Sequence, residues 1–386
     1  MNRQTFVKHK TITLKGDKVI IFLANKQRFF FIIGLILLNS HNIIGQYVKF
    51  YYFCISFLFL RMEKITVIIN PVSGTSSKKR IPDLLEHYIP SDQFETQFFF
   101  TEYRGHAFEL ASKAVKEKTD YVIAVGGDGT VNEVARALVE SSSVLGIVPT
   151  GSGNGLARDL AIPMDSRKAL EVILERQIRT IDYCKANNRI FFCTCGVGFD
   201  ASVSERFDKR KHRGPLSYIR SVLAEYLQFK PDTYDIVFEN EVLSRKAFLV
   251  TCANASQYGN NAYIAPQANM NDGMMDVAIL SPFSPLDVGH LIIQMFTKQI
   301  TKNRKLQYYR SKKLALRRAR PGIVHIDGEP VYMDQVISLE VFPNGLNVIV
   351  PRNPAHPIYS VASFFSNLSY WWKKQSNEAS HSVFHF

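Results

Sequence analysis

Residues 121–134 read Tyr-Val-Ile-Ala-Val-Gly-Gly-Asp-Gly-Thr-Val-Asn-Glu-Val, and residues 144–158 read Val-Leu-Gly-Ile-Val-Pro-Thr-Gly-Ser-Gly-Asn-Gly-Leu-Ala-Arg. Each stretch is a short apolar run, then a glycine-rich loop, then a helical pattern. Apolar runs of this length bounded by glycine suit strands buried on both faces. Glycine lets the backbone approach a ligand without Cβ obstruction, and a helix N-terminus attracts anions. Two consecutive units of this kind place both loops at the carboxyl edge of one parallel sheet, where open α/β sheets bind ligands.

Reading outward from there, strands are expected at 64–70, 93–100, 121–125 and 144–149, with helices at 78–88, 105–118, 131–140 and from 155. The 64–70 strand ends in Asn70-Pro71-Val72-Ser73-Gly74, a third loop able to offer donors to phosphate. Beyond about residue 181 the pattern turns to strands, at 189–194, 234–238, 247–253, 275–280, 313–318, 323–326 and 336–342. An α/β domain over 62–183 is therefore followed by an all-β sandwich over 184–344. A C-terminal segment, 345–386, returns to the first domain. Its residues Phe364, Phe365, Leu368, Trp371 and Trp372 share a helical face margined by Lys373 and Lys374.

The first 61 residues differ in kind. They supply +8 of the chain's +13 formal charge and none of its 16 prolines. Their apolar runs, 29–38 and 51–60, fall short of the ~20 residues of a spanning helix. Three readings compete: a membrane hairpin or anchor, a signal peptide, or a true translational start at Met62. The third is favoured, because the first strand of the core opens directly after Met62. The remaining chain is mildly basic, which suits ATP or an anionic bilayer rather than nucleic acid. Five cysteines without a Cys-x-x-Cys pair point away from zinc and disulfides and toward a reducing cytoplasm. Cys193 and Cys195 are expected on one face of a strand.

The loops narrow the chemistry. Asp128 lies within the second loop, and a carboxylate beside phosphates makes sense with Mg²⁺ between them. The loop lacks the Gly-Lys-Ser/Thr of a P-loop, neither loop fits a dinucleotide fingerprint, and Ser152 is not in a nucleophile elbow. Two acidic turns lie downstream. Asn269-Met270-Asn271-Asp272-Gly273-Met274-Met275-Asp276 could hold Mg²⁺, and Asp327-Gly328 reads by itself as a hairpin turn.

Six motifs together, Asn-Pro-x-Ser-Gly, Gly-Gly-Asp-Gly-Thr-x-Asn-Glu, Gly-Ser-Gly-Asn, Gly-Val-Gly-Phe-Asp-Ala (196–201), Asp-Gly-x-x-Asp (272–276) and Asp-Gly-Glu (327–329), run in the order found in the diacylglycerol kinase catalytic-domain family, which this chain resembles over about 64–350. The resemblance implies an NAD-kinase/diacylglycerol-kinase-like fold and an ATP- and Mg-dependent lipid kinase. ATP contacts would fall on Asn70, Thr101, Gly126, Gly127, Asp128, Gly129, Thr130, Val131, Asn132 and Ser152. A structural Mg²⁺ would fall on Asp272 with the carbonyls of Asn269 and Met274, and the proton acceptor on Glu329 or Asp327. Asn154-Gly155-Leu156 and Asn260-Asn261 depart from the bacterial glycerolipid kinases, and Gly-Ser-Gly-Asn is closer to sphingosine kinases. The acceptor is accordingly diacylglycerol-like or sphingoid- or ceramide-like. Partners implied are a membrane lipid, met peripherally at the inner face, and no nucleic acid, with a homodimer left open. The basic segments 209–213 and 312–320 would face anionic headgroups. An NAD-kinase-like phosphotransferase and an inactive nucleotide sensor are the alternatives.

Overall fold

The computed structural model describes residues 8–14, 17–26, 29–36, 62–73, 88–89, 91–208, 226 and 228–354. It divides into two compact units, Met1–Met62 and Glu63–Phe386. The first contains an antiparallel meander of β1 (Lys8–Leu14), β2 (Asp17–Lys26) and β3 (Phe29–Ile36). The apolar run at 29–38 is thus largely strand; the run at 51–60 lies outside the described residues.

In the second unit, β4 (Glu63–Ile69), β5 (Phe94–Phe100), β6 (Tyr121–Gly126) and β7 (Val144–Pro149) form a parallel sheet in the order β5-β4-β6-β7. The connections leave β4 on opposite sides, so a topological switch point falls between β4 and β6. β6 and β7 are buried along their whole lengths, as strands covered on both faces must be. One cover is α1 (His106–Lys116) with α2 (Asp128–Leu138), packed on Val122, Ala124 and Ile147. The other includes Leu170, Val172 and Ile173 of α4 (Ser166–Glu175), which follows the short α3 (Gly155–Asp159) and packs on Val67 and Val125. The helix expected at 78–88 lies outside the described residues apart from Tyr88.

β8 (Ile178–Ala186) and β9 (Arg189–Phe191) lead into β10 (Thr194–Gly198) and α5 (Phe199–Asp208). Next come β11 (Asp232–Val237), β12 (Val242–Ala247), β13 (Leu249–Ala253), β14 (Met275–Leu280), α6 (Val288–Phe296), β15 (Leu306–Ser311), β16 (Lys313–Arg318), β17 (Gly322–Ile326), β18 (Glu329–Met333) and β19 (Val336–Ile349). One antiparallel sheet runs β15-β14-β13-β10-β17-β18. The other continues the parallel sheet, from β7 through β19 to β16, β11 and β12. Val197, Val250, Cys252, Val277 and Ile326 of the first sheet pack on Ile236, Leu314, Leu316, Ile337 and Leu339 of the second. That is a sandwich core in which alternate residues of each strand point inward.

Several expectations need correction. The strand foreseen at 189–194 breaks at Phe192-Cys193, because both backbone N–H groups are drawn to the Asp327 carboxylate. Cys193 and Cys195 therefore share no strand face: Cys195 fills the sandwich core, while Cys193 packs toward the α/β side. The 247–253 strand is two strands, parted at Phe248, whose N–H bonds Leu280 O. No break separates 344 from 345. β19 carries a register shift between Phe342 and Leu346, and pairs with β8 on both sides of it, from Leu339 to Ile349. Its end, Val348, pairs in parallel with Leu145, which is how the chain rejoins the first sheet. The aromatic face at 364–372 and the basic run 209–213 lie outside the described residues. In the basic run 312–320, two of the cations are engaged within the protein, while Lys312, Arg317 and Arg320 are exposed. The Arg318 guanidinium bonds the carbonyls of Gly322, Ile323 and Met333, and Lys313 pairs with Glu340 at 3.3 Å.

Candidate active site

The loops after β4, β6 and β7 meet at the switch point. Asn70 N–H bonds Val125 O, and Thr150 N–H bonds Gly126 O. The Asn70 side-chain amide donates to Thr130 Oγ1 at 2.9 Å, and Ser73 Oγ lies 2.9 Å from Thr150 Oγ1. Gly127 and Gly151 touch backbone to backbone; a Cβ on Gly151 would come 2.5 Å from Gly127 Cα. Gly126 is equally constrained, since the Thr130 side chain folds over it. Glycine at these positions is what closes the three loops into one surface.

Asp128 fastens that surface. Its carboxylate accepts from Asn154 N at 2.8 Å and Gly155 N at 2.6 Å, the first amides of α3. The helix expected from Val131 starts at Asp128, so Asp128, Gly129 and Thr130 form its first turn. Asn154, left-handed at φ 51, closes the third loop through its own amide to Gly151. Asp128 thus serves first as the acceptor that binds the second loop to the third. Val131 is buried in the core and reaches the loop through its N–H to Gly127 O. Ser152 stands exposed on the third loop, and Thr101 N–H bonds Ile69 O beside the first.

Glu133, quoted in the motif but given no role above, accepts from Gly105 N at 2.8 Å and Ala107 N at 3.2 Å. It caps α1 and pins the turn carrying Arg104. The signal was an acid one turn into a helix, but its partners lie 26 and 28 residues earlier.

The Asp327-Gly328 turn faces this surface. Both residues are left-handed, at φ 48 and 84, and Ile326 pairs with Glu329, giving a two-residue hairpin of the type favoured by Asp-Gly. The Asp327 carboxylate accepts four N–H groups: Asn132 Nδ2 at 2.7 Å, Phe192 N and Cys193 N at 2.8 Å, and Thr194 N at 3.0 Å. Burial pushes its carboxyl up, against the pull of the three backbone N–H groups. A carboxylate so occupied fastens α2 to the sandwich. Glu329 is half-exposed and ion-paired with Arg104 at 3.0 Å. A Cβ built on Gly129 would lie 3.9 Å from Glu329 Oε1, so this carboxylate sits at the first turn of α2. Arg104, which sequence reasoning left without a role, stands where a guanidinium could meet a phosphate.

Asn269, Asp272 and Met274 lie in the β13–β14 connection. Asp272 Oδ1 accepts from Met274 N at 3.0 Å and Oδ2 pairs with Arg310. Among the described residues no cluster of three or more His, Cys, Asp or Glu is placed to hold a metal. The turn nevertheless suits a hard cation, which takes carboxylate and carbonyl oxygens. Behind it, Asp276 is fully buried; both oxygens lack a hydrogen-bond partner, and Arg310 Nε stands 3.8 Å from Oδ2. Burial pushes its carboxyl up to about 6, with Arg310 the opposing influence. Such an orphaned acceptor is what an ion or its water would satisfy.

Residues 64–186 match the family of the diacylglycerol kinase catalytic domain, and residues 193–350 match the YegS C-terminal NAD kinase beta sandwich-like domain. The chain is similar to a diacylglycerol kinase of Staphylococcus saprophyticus, 29% identical over 69% of this chain and 89% of the relative. It is also similar to a diacylglycerol kinase of Staphylococcus aureus, 30% identical over 69% and 86%. The fold is similar to a crystal structure titled as a diacylglycerol kinase of Bacillus anthracis strain Sterne, with TM-score 0.59 and 19% identity over 76% of this chain and 98% of that one.

Proposed function

Because the chain belongs to the diacylglycerol kinase family, we propose that it transfers the γ-phosphoryl group of ATP to the hydroxyl of a membrane lipid, diacylglycerol-like or sphingoid- or ceramide-like. The observation that carries this reading is Glu329 at the first turn of α2, on a hairpin locked by the four bonds to Asp327. The amides of that turn, which have no carbonyl within the helix, receive phosphate oxygens. Arg104 leaves Glu329 for the phosphate. Glu329, so released, takes the proton of the acceptor hydroxyl as its oxygen bonds to phosphorus in line with the departing β-phosphate oxygen. ADP and a phosphorylated lipid result. General-base help of this kind contributes ~10²–10⁴ in rate.

In this reading Thr101 and Ser152 reach ATP from the rims of the surface. The Asp272 carboxylate and the Asn269 and Met274 carbonyls hold a structural Mg²⁺. The Mg²⁺ that travels with ATP supplies charge neutralisation. Among the described residues no helix is long and apolar enough to cross a membrane, and the protein meets its lipid peripherally, from the cytoplasmic face. The test is incubation of the purified chain with γ-labelled ATP, Mg²⁺ and, in separate reactions, mixed micelles of candidate lipids or NAD, with products resolved by mass spectrometry. Label in a lipid phosphate supports the reading. Label in NAD, or none in any acceptor, overturns it in favour of a soluble-substrate kinase or a nucleotide sensor.

A further inference from the structure

The 283–305 edge of the sandwich bears a feature that phosphoryl transfer does not use. Ser284 and Asp287 form a reciprocal capping box around a single 3-10 turn, Pro285–Asp287. The turn holds Leu286 outward, with 93% of its surface exposed. The capping box holds this leucine at a fixed position on the edge. Beside it opens a cleft of about 280 Å³, whose floor includes Leu280, Phe283 and Leu291 and whose rim carries Lys302, Arg304 and Lys305. Lys305 pairs with Asp287 at 3.3 Å. Lys302 and Arg304 are exposed and make no ion pair among those described, so the rim keeps a surplus of two positive charges.

The floor continues inward as a chain of ring contacts, the first edge-on and the second stacked. Phe283 meets Phe248 at 4.6 Å, and Phe248 meets Phe199 at 4.5 Å. Phe199 adjoins Asp200, which bonds His325, two residues before Asp327. The edge and the catalytic hairpin are therefore joined by one packed path.

We infer that this edge docks on an anionic bilayer, Leu286 entering the interface and the Lys302–Arg304 rim holding a phospholipid headgroup phosphate. The choice of a membrane rests on Leu286 beside the basic rim, since an acyl boundary under anionic headgroups meets both while free phosphate offers the leucine no apolar surface. The membrane's relevance rests on the lipid-kinase reading; the docking itself is measured without catalysis.

Co-sedimentation with vesicles of phosphatidylcholine, with and without phosphatidylglycerol, reads the partition of the full chain. Lys302→Glu with Arg304→Glu should weaken binding to the phosphatidylglycerol vesicles at least about 25-fold. Leu286→Ser should weaken binding to both about tenfold. All variants should keep the wild-type Tm and wild-type turnover of a short-chain, water-soluble acceptor. The inference is overturned if the variants partition as wild type does. It is equally overturned if millimolar inorganic phosphate strips the wild type from vesicles, which would mark a free-phosphate site, or if the variants lose duplex DNA binding instead. A wild type that binds vesicles but phosphorylates no lipid sinks the proposed function and leaves the docking edge standing.

Discussion

The division of labour between Asp327 and Glu329 can be tested by two near-isosteric changes. Asp327→Asn leaves the turn intact, because Asn-Gly suits the same left-handed pair as Asp-Gly. It removes one of two acceptor atoms and turns an amide NH₂ toward N–H donors that now lack a partner. Two of the four bonds at 2.7–3.0 Å are lost. Bonds to a charged acceptor contribute about 1.5–3 kcal/mol each, and burial of the carboxylate offsets part of that. The low end, about 3 kcal/mol, is the expected loss, equivalent to a fall in Tm of ~4 °C for a chain of this size.

Glu329→Gln touches only an exposed ion pair with Arg104, worth below about 1 kcal/mol, so Tm should hold. Its kcat should fall ~10²–10⁴-fold while ATP affinity persists. Urea unfolding and steady-state kinetics on a short-chain acceptor in mixed micelles read both quantities. The reasoning fails if Asp327→Asn unfolds as wild type does yet loses turnover, with Glu329→Gln still active. Asp327 would then be the proton acceptor.

Asp128→Asn keeps one of the two bonds to the third loop, so KM for ATP should rise about tenfold with the fold intact; an unchanged KM would show that the clamp does not shape the nucleotide surface. Gly151→Ala drives a methyl into Gly127 Cα and to 2.9 Å from Asn154 Oδ1, and should cost about 1–3 kcal/mol and most of the activity; wild-type activity and Tm would mean the loops separate freely. Mg²⁺ should raise Tm in a thermal-shift assay and EDTA should reverse it, whereas Asp272→Ala should abolish the response; an equal response in that variant would place the ion elsewhere.

Much of the first domain is legible in sequence because its signals are local. Buried runs such as 121–126 and 144–149 end in glycine-rich loops, and a helix follows each within about five residues. The Asp327-Gly328 hairpin is legible for the same reason. The helix start at Asp128 is missed by three residues because Asp-Gly-Thr resembles a loop; only the bonds to Asn154 and Gly155 stabilise it as a first turn. β8, β15 and β18 go unseen because their half-buried patterns are weak. The functions of the acids are the least legible. Asp128, Glu133 and Asp327 look like ligands for metal or proton, yet each accepts backbone N–H groups from residues 26 to 135 positions away. No local pattern encodes such partners.

Those acids explain why a phosphate surface can carry so many of them. A bare carboxylate at a helix N-terminus would compete with phosphate for the same donors. Here Asp128 is consumed by α3, Glu133 by α1, and Asp327 by the β9–β10 junction and Asn132. The acids spend their lone pairs joining elements, and the first turn of α2 keeps its donors. Glu329 is the exception, its charge met by a single exposed guanidinium that can move. Glu329, the proton acceptor proposed above, thus lies on a strand of the antiparallel sheet, and its hairpin is held to α2 by the Asn132–Asp327 bond.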